Sequence, residues 1–164
     1  MNKPVYVING PMGVGKTTVG KTLADALPGT AFIDGDWCLD IHPFIGNAET
    51  KAMAVDNILH MIANYRACSV CNAVVLVWLM DDQWVLDRIA EGIAALDMRM
   101  ISVTLMCSPE TLAVRWKNDK LCEWRTDEWL KVSLKSLPKF AAYENRIDTT
   151  DMDIADVVEA IIKQ

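Results

Sequence analysis

The sequence has no excess of positive charge and no long hydrophobic run. Its 164 residues include 16 Lys and Arg against 22 Asp and Glu, for a net charge of −6. Nucleic-acid binders take much of their affinity from a basic face that neutralises phosphates, so this balance argues against that class. The longest apolar stretch, residues 73–80, is far shorter than the roughly 20 residues that a membrane-spanning helix needs. We therefore expect neither nucleic acid nor a membrane as a partner.

The sequence also lacks internal repeats, low-complexity segments and linkers rich in proline, glycine or serine. We expect a single domain over residues 1–164, because this length falls within the usual range of one globular domain. A hydrophobic fraction of 52% supplies a core and excludes a disordered chain. The short apolar run near the N-terminus does not resemble a secretion signal. These features predict a cytoplasmic protein and leave open a monomer or a homodimer.

The five cysteines are odd in number and irregularly spaced, which argues against an extracellular disulfide framework. Cys68 and Cys71 form an isolated C-x-x-C pair. A zinc site would need two further ligands, and His42 and His60 are isolated from the pair. A thioredoxin-type redox pair would begin a helix, whereas this one follows a helical pattern. We expect reduced structural thiols, with a redox pair as the alternative.

Short apolar runs alternate along the chain with longer segments of helical periodicity. Strands are predicted at residues 5–9, 31–33, 74–79, 99–106 and 146–148. Helices are predicted at 16–27, 48–68, 83–96, 109–117 and 153–163, with another ending near residue 142. Because strands that alternate with helices form βαβ units, we expect a three-layer α/β protein with a mainly parallel sheet.

The most specific motif is G-x-x-x-x-G-K-[ST], which lies between the first predicted strand and the first helix. Its glycines let backbone N–H groups form a concave nest for phosphate oxygens, and the helix N-terminus adds further donors. Lys16 is expected to reach the β- and γ-phosphates, Thr17 to ligate Mg²⁺ and Thr18 to bond the α-phosphate. The motif therefore predicts an ATP and Mg²⁺ site whose nucleotide-binding residues are Gly10, Met12, Gly13, Val14, Gly15, Lys16, Thr17 and Thr18.

Two carboxylates, Asp34 and Asp36, follow the second predicted strand. Ligands of an open parallel sheet bind beyond the carboxyl ends of its strands, so both carboxylates are expected to face the phosphate site. We expect one of them to take a proton from an attacking hydroxyl and the other to hold Mg²⁺ through water. Asp-Gly-Asp is also ordinary turn chemistry, so a purely local role as a turn or cap stays open.

These motifs resemble those of small P-loop kinases of the nucleotide-kinase and shikimate-kinase type, including gluconate kinases and antibiotic phosphotransferases. The resemblance runs along essentially the whole chain, through the phosphate loop, FIDGDW with the following His42-Pro43, SPETLAVR, a lid and TTDMD. It implies a P-loop NTPase fold with strand order 2-3-1-4-5. It further implies that Asp36 acts as the catalytic base and that Asp34 assists Mg²⁺ and the acceptor.

Positive charge concentrates in residues 115–146, which hold eight Lys and Arg against five Asp and Glu. An acidic protein that handles a polyphosphate needs such local charge. By resemblance, residues 115–128 form the lid, Arg115 stacks on or flanks the adenine and phosphates, and Arg125 closes over the transferring phosphate. The alternative is a solvated helix face. Tryptophans at 116, 124 and 129 flank this region and are interpreted as core.

The segment after the fifth predicted strand is ambiguous. By resemblance, Thr150 and Met152 would contact the adenine, but the same segment also forms a plain N-cap for the last helix.

The sequence departs from the family pattern after the third predicted strand. No acidic residue ends that strand, and Asp81 is a doubtful substitute for a Walker B aspartate, so Mg²⁺ would rest on Thr17 and Asp34. Shikimate kinases carry a glycine-rich segment here, whereas this chain has Trp78-Leu-Met-Asp. These differences argue against shikimate as the acceptor.

Basic residues are scarce between residues 37 and 98, where nucleoside monophosphate kinases use several arginines to hold the acceptor phosphate. We expect Arg66 or Arg88 to supply one such contact, and we assign Arg66 to the acceptor. An acidic mouth formed by Asp34, Asp36 and Asp40 fits an uncharged or cationic hydroxyl compound better, such as a sugar acid's polyol end or an antibiotic. The alternatives are a nucleoside or nucleotide kinase and an ATP-hydrolysing switch protein, although no Asn-Lys-x-Asp guanine-reading segment is present.

Overall fold

The computed structural model describes residues 3–119, 122 and 125–164, so positions 120, 121, 123 and 124 of the predicted lid lie outside the described residues. The elements in chain order are β1 (Pro4–Asn9), α1 (Lys16–Ala26), β2 (Thr30–Asp34), a 3-10 helix (Gly35–Leu39), α2 (Ala48–Ala67), β3 (Ala73–Val77), α3 (Gln83–Ala95), β4 (Arg99–Met106), α4 (Pro109–Asn118), α5 (Asp127–Phe140), β5 (Arg146–Asp148) and α6 (Ile154–Ile162).

The strands form one five-stranded sheet in the order β2-β3-β1-β4-β5, and every pairing is parallel. This confirms the α/β P-loop fold and the strand order that the sequence indicated. β3 ends at Val77, earlier than predicted, although the Trp78 N–H still donates to the carbonyl of Ile8 at 3.2 Å. The central strands are continuous apolar runs because helices cover them on both faces.

The apolar core is divided between the two faces of the sheet. On one face α2 and α3 pack against the sheet, with Ile58 and Ile89 fully buried. On the other face α1 and α6 pack against it, with Leu23 and Ile161 fully buried. Each such side chain contributes about 1.5–3 kcal/mol through the hydrophobic effect. The sheet is therefore a rigid base for the loops at its carboxyl edge.

Polar side chains cap the N-termini of α3 and α4, which follow the carboxyl edge of the sheet. The Asp82 carboxylate accepts from the N–H of Trp84 at the start of α3. The Ser108 hydroxyl oxygen accepts from the N–H of Thr111 at the start of α4, where proline follows as the first helical residue. Within the described ranges, none of the helices combines the length and apolarity needed to cross a bilayer.

Candidate active site

The phosphate loop connects β1 to α1, in the position that the motif predicted. Gly10, Gly13 and Gly15 have φ angles of 147°, 81° and 111°, which favour glycine over residues with a Cβ. A Cβ at Gly10 would lie 2.6 Å from the carbonyl oxygen of Leu105, and one at Gly13 would lie 2.8 Å from Cε3 of Trp116. The loop thus depends on glycine both for its backbone conformation and for its close approach to β4 and α4.

Lys16 begins α1 and turns its ammonium group back onto the loop. Its Nζ donates to the carbonyl oxygens of Gly10 at 2.8 Å and Pro11 at 2.9 Å. Desolvation lowers the pKa of Lys16 to about 8, against the opposing attraction of Asp36 and Asp34. The structure therefore places Lys16 in the same electrostatic environment as both predicted carboxylates.

Asn9, at the end of β1, is a site residue that the sequence analysis missed. Its fully buried Oδ1 accepts from the N–H groups of Gly10 and Met80, both at 2.8 Å, and its Nδ2 donates to the Met80 carbonyl at 2.9 Å. The side chain thereby ties the first residue of the phosphate loop to the segment after β3. The available signal was a polar residue that ends an apolar strand directly before the first glycine.

Asp34 ends β2 beside the phosphate loop. The Thr17 hydroxyl donates to its Oδ2 at 3.4 Å, while its Oδ1 accepts from the N–H of Asp36 at 3.1 Å and caps the 3-10 helix. Asp34 therefore has the local turn role that the sequence left open and also faces the loop. A hydroxyl and a carboxylate at this separation are the hard oxygen donors that suit Mg²⁺.

Asp36 lies at the solvent-exposed mouth of the site, in the first turn of the 3-10 helix. Partial desolvation and repulsion by Asp34 raise its pKa, while Lys16 and a hydrogen bond from the Trp78 side chain oppose that shift. Lys16 and Trp78 thus lie close enough to Asp36 to influence its ionisation. This is a suitable environment for a group that accepts a proton.

Trp78, directly after β3, is the second residue that the sequence analysis missed. A Cβ on Gly35 would lie 2.2 Å from Cγ of Trp78, so only glycine allows the chain between the two aspartates to pass against the indole. Trp78 is buried, and its side chain lowers the pKa of Asp36 against the effect of desolvation. Gly35 is thus required for packing against Trp78, which the sequence motif alone did not reveal.

Arg125, from the predicted lid, lies close to the phosphate loop. Its guanidinium forms an ion pair with Asp119, and its Cζ lies 5.2 Å from the ring centroid of Trp116. Its charge contributes to lowering the pKa of Lys16, so the two cations are near one another. Trp116 is buried, as predicted. Trp129 was also expected in the core, but it is 48% exposed and lies outside it.

Arg115 is hydrogen-bonded to backbone and side-chain groups of the protein. Its Nη1 donates to the Val14 carbonyl at 2.9 Å and to Oγ1 of Thr149 at 2.8 Å, and its Nη2 donates to the Thr149 carbonyl at 2.7 Å. The side chain thus links the phosphate loop to the segment after β5. The sequence analysis did not foresee this bridging function.

The segment after β5 has its own internal contacts. The Thr150 hydroxyl accepts from the N–H of Ser108 at 2.8 Å and donates to Oδ1 of Asp148 at 2.6 Å. Met152 is half-buried and packs against the core on the α1 face. Asp153 caps α6, so the capping function left open in the sequence analysis falls one residue beyond Met152.

The remaining loop residues differ in their exposure. The Met12 carbonyl accepts from the buried Ser133 hydroxyl at 2.7 Å, a contact with α5 that the sequence did not suggest. Val14 has a buried side chain, whereas Thr17 and Thr18 are exposed in the first turn of α1.

The structure places Arg66, the residue predicted to contact the acceptor, at the end of the sheet opposite the phosphate loop. Arg66 lies in the last turn of α2, and its carbonyl accepts from Nζ of Lys3 at 2.8 Å. Lys3 directly precedes β1, so this contact is at the amino edge of the sheet. The phosphate loop follows the other end of β1, about 20 Å away for six strand residues. Helix α2 runs back along the sheet and carries Arg66 away from the site.

Asp81, in the segment after β3, contacts helix α5. Its Oδ2 lies 3.5 Å from Nζ of Lys139 on α5.

Solved structures of small-molecule kinases share this fold. The chain matches APS kinase from Mycobacterium tuberculosis with a TM-score of 0.73 and 14% identity, covering 99% of this chain and 96% of that one. It matches a gluconokinase from Sinorhizobium meliloti with a TM-score of 0.72 and 19% identity, covering 98% and 90%. A tunicamycin resistance protein from Deinococcus radiodurans gives a TM-score of 0.70 and 21% identity, covering 99% and 95%.

No curated protein sequence matches the chain. A family model described as an AAA domain matches residues 7–131, which is more than half of the chain and includes the phosphate loop and both aspartates. The protein therefore belongs to the AAA-domain family of P-loop proteins.

Proposed function

We propose that the protein transfers the γ-phosphoryl group of ATP to a hydroxyl group of a small molecule. The observation that carries this proposal is that the phosphate loop with Lys16 lies beside two carboxylates, because the Thr17 hydroxyl is 3.4 Å from Asp34 and Asp34 caps the turn that carries Asp36. A candidate proton acceptor and a phosphate-binding cation thus lie at the same edge of the sheet. The shared fold with small-molecule kinases supports the same reading.

The residues of the loop divide the chemistry among them. The backbone N–H groups and Lys16 would hold the phosphates, and Thr17 with Asp34 would hold Mg²⁺, which neutralises phosphate charge when bound. Asp36 would take the proton of the acceptor hydroxyl as its oxygen attacks phosphorus. Arg125 and Lys16 would stabilise the charge on the transferring group. Catalysis would then rest mainly on positioning and electrostatics.

The space for an acceptor is nearly free of charge. A groove of about 510 Å³ opens along the 3-10 helix that carries Asp36, and its other wall is α2. The residues that line it are Trp37, Cys38, Asn57, His60, Met61 and Asn64, none of which is a lysine, an arginine or a carboxylate. The exposed indole of Trp37, at 62%, offers an apolar surface to a ligand.

The basic residues of the neighbouring segment are engaged with carboxylates. Nζ of Lys51 lies 3.9 Å from Asp82, and Nη1 of Arg88 lies 2.9 Å from Glu91. Together with the position of Arg66, these pairings disfavour an acceptor that carries a phosphate. We infer that the acceptor is an uncharged or cationic hydroxyl compound, such as a polyol or an antibiotic-like molecule.

The test is transfer of labelled γ-phosphate across a panel of sugar acids, polyols, nucleosides, nucleotides, shikimate and hydroxylated antibiotics. We expect one labelled product. Asp36→Asn should slow its formation by about 100-fold or more while calorimetry shows nearly unchanged ATP affinity. Asp25→Asn is the matched control, because Asp25 is an exposed carboxylate in the last turn of α1, away from the phosphate loop. It should retain transfer.

Two results would contradict the proposal. Labelled inorganic phosphate as the sole product with every acceptor would favour the ATP-hydrolysing switch. Full transfer by Asp36→Asn would remove that carboxylate from the reaction.

A further inference from the structure

We propose that Cys68 and Cys71 form a dithiol–disulfide redox site that reacts with low-molecular-weight disulfides. The pair lies between the end of α2 and the start of β3, at the edge of the sheet opposite the phosphate loop. The proposal is therefore independent of the proposed phosphoryl transfer. Both thiols are reduced in this structure and partly exposed, whereas Cys38 and Cys107 are buried.

The backbone brings the two cysteines within bonding range. The N–H of Cys71 donates to the Cys68 carbonyl at 3.3 Å, which closes a four-residue turn. Such a turn holds its first and last Cα atoms within about 7 Å, and disulfides span about 4.4–6.8 Å between Cα atoms. The backbone of this turn is therefore compatible with a disulfide between the two residues.

A cation compensates for the unfavourable position of Cys68 after a helix. The exposed carbonyls at the end of a helix disfavour an anion nearby. Here Nζ of Lys3 donates to the carbonyls of Tyr65, Arg66 and Cys68, at 3.4, 2.8 and 2.7 Å. Lys3 thereby occupies the negative end of α2 and places its charge beside the Cys68 sulfur.

The two thiols are electrostatically unequal. Hydrogen bonds from the backbone of Val70 and from the Cys71 side chain lower the pKa of Cys68, and Lys3 adds to that effect. Desolvation and the neighbouring Cys68 raise the pKa of Cys71. Cys68 is therefore the attacking thiolate and Cys71 the resolving thiol.

The turn is held in place from outside. The N–H of Asn72 donates to the Gly29 carbonyl at 2.7 Å, and its Nδ2 donates to the Pro28 carbonyl at 3.0 Å. A Cβ at Gly29 would lie 2.7 Å from the Val70 carbonyl oxygen. The turn is thus packed against the α1–β2 connection, which keeps the two sulfurs together.

The reaction is a two-step thiol–disulfide exchange with a small disulfide RSSR as the oxidant. The Cys68 thiolate attacks one sulfur of RSSR, which forms a mixed disulfide and releases RS⁻. Cys71 then loses its proton to solvent and attacks the Cys68 sulfur, which forms the internal disulfide and releases a second RS⁻. Two protein thiols are oxidised and one disulfide is reduced to two thiols.

The experiment exposes the full-length reduced protein to oxidised glutathione and follows peptide masses. We expect the peptide containing both cysteines to lose two hydrogens and to regain them with dithiothreitol. Cys71→Ser should accumulate one glutathionyl group on Cys68. Cys68→Ser should acquire its adduct on Cys71 more slowly, by about threefold or more. Cys122→Ser, which removes another partly exposed thiol, should still form the internal disulfide.

Either of two outcomes would overturn the proposal. One is a wild-type peptide that keeps both thiols or retains a stable mixed disulfide without closing the internal one. The other is a faster reaction of Cys71 than of Cys68 in the paired serine variants. Because phosphoryl transfer is not measured, a negative result here has no bearing on the proposed kinase activity.

Discussion

Replacing Arg115 by methionine tests whether this residue primarily links the phosphate loop to the segment after β5. The change removes three hydrogen bonds, one to Val14 and two to Thr149. Each bond from a charged donor contributes about 1.5–3 kcal/mol. Because the side chain is half-buried, water can replace some of these hydrogen bonds to the carbonyl and hydroxyl groups. We therefore expect a loss of about 2–4 kcal/mol in the free energy of unfolding. For a chain of this size the melting temperature should fall by about 4–16 °C.

The assay combines urea unfolding with calorimetric titration of ATP. Lys117→Met is the matched control, since Lys117 lies on the same helix, carries the same charge and is exposed. Arg115→Lys should recover only part of the stability, because one ammonium cannot reproduce the planar fork that bonds both residues. A stability within about 0.5 kcal/mol of wild type, with weakened ATP binding, would refute the bridging function. It would favour a side chain that contacts only the nucleotide.

Two further predictions concern ionisation in the site. Since Lys16 has a pKa of about 8 without ligand and phosphates favour its charged form, ATP binding takes up a proton above that pH. The dissociation constant for ATP should be constant near neutral pH and rise by up to about tenfold per pH unit above 8. Lys16→Ala should abolish ATP binding. A dissociation constant that does not change with pH in calorimetry across this range would contradict the lowered pKa of Lys16. Trp78→Phe removes the indole N–H that lowers the pKa of Asp36, so the acid limb of the kcat/KM profile should move to higher pH. An unmoved limb would show that the indole does not control that carboxylate.

The sheet and the phosphate loop were predictable because their signals are local. Apolar runs buried on both faces and the glycine spacing depend on neighbouring residues in the chain. The strand order needed the family resemblance, which the observed sheet confirmed. The end of β3 was misplaced by two residues because the apolar run continues through Trp78 and Leu79 beyond the last paired strand residue.

The missed site residues act through contacts that no local pattern encodes. Asn9 contacts Met80 across 71 positions, and Ser133 contacts Met12 across 121. Trp78 looked like the end of a buried strand, and its effect on the pKa of Asp36 depends on Gly35 allowing the indole to approach. The distance of Arg66 from the phosphate loop could have been foreseen from the length of α2. A 20-residue helix is about 30 Å long, so a helix that starts near the site ends far from it.

Two carbonyl oxygens of the phosphate loop accept hydrogen bonds from helices outside the loop. These bonds determine the direction in which the N–H group of the same peptide unit points. The Met12 carbonyl is directed at Ser133 on α5 and the Val14 carbonyl at Arg115 on α4. In a planar trans peptide the C=O and the following N–H are antiparallel. Turning these oxygens outward therefore turns the N–H groups of residues 13 and 15 away from those helices. The orientation of the loop's donors is thus imposed by two helices more than 100 residues further along the chain, before any anion arrives.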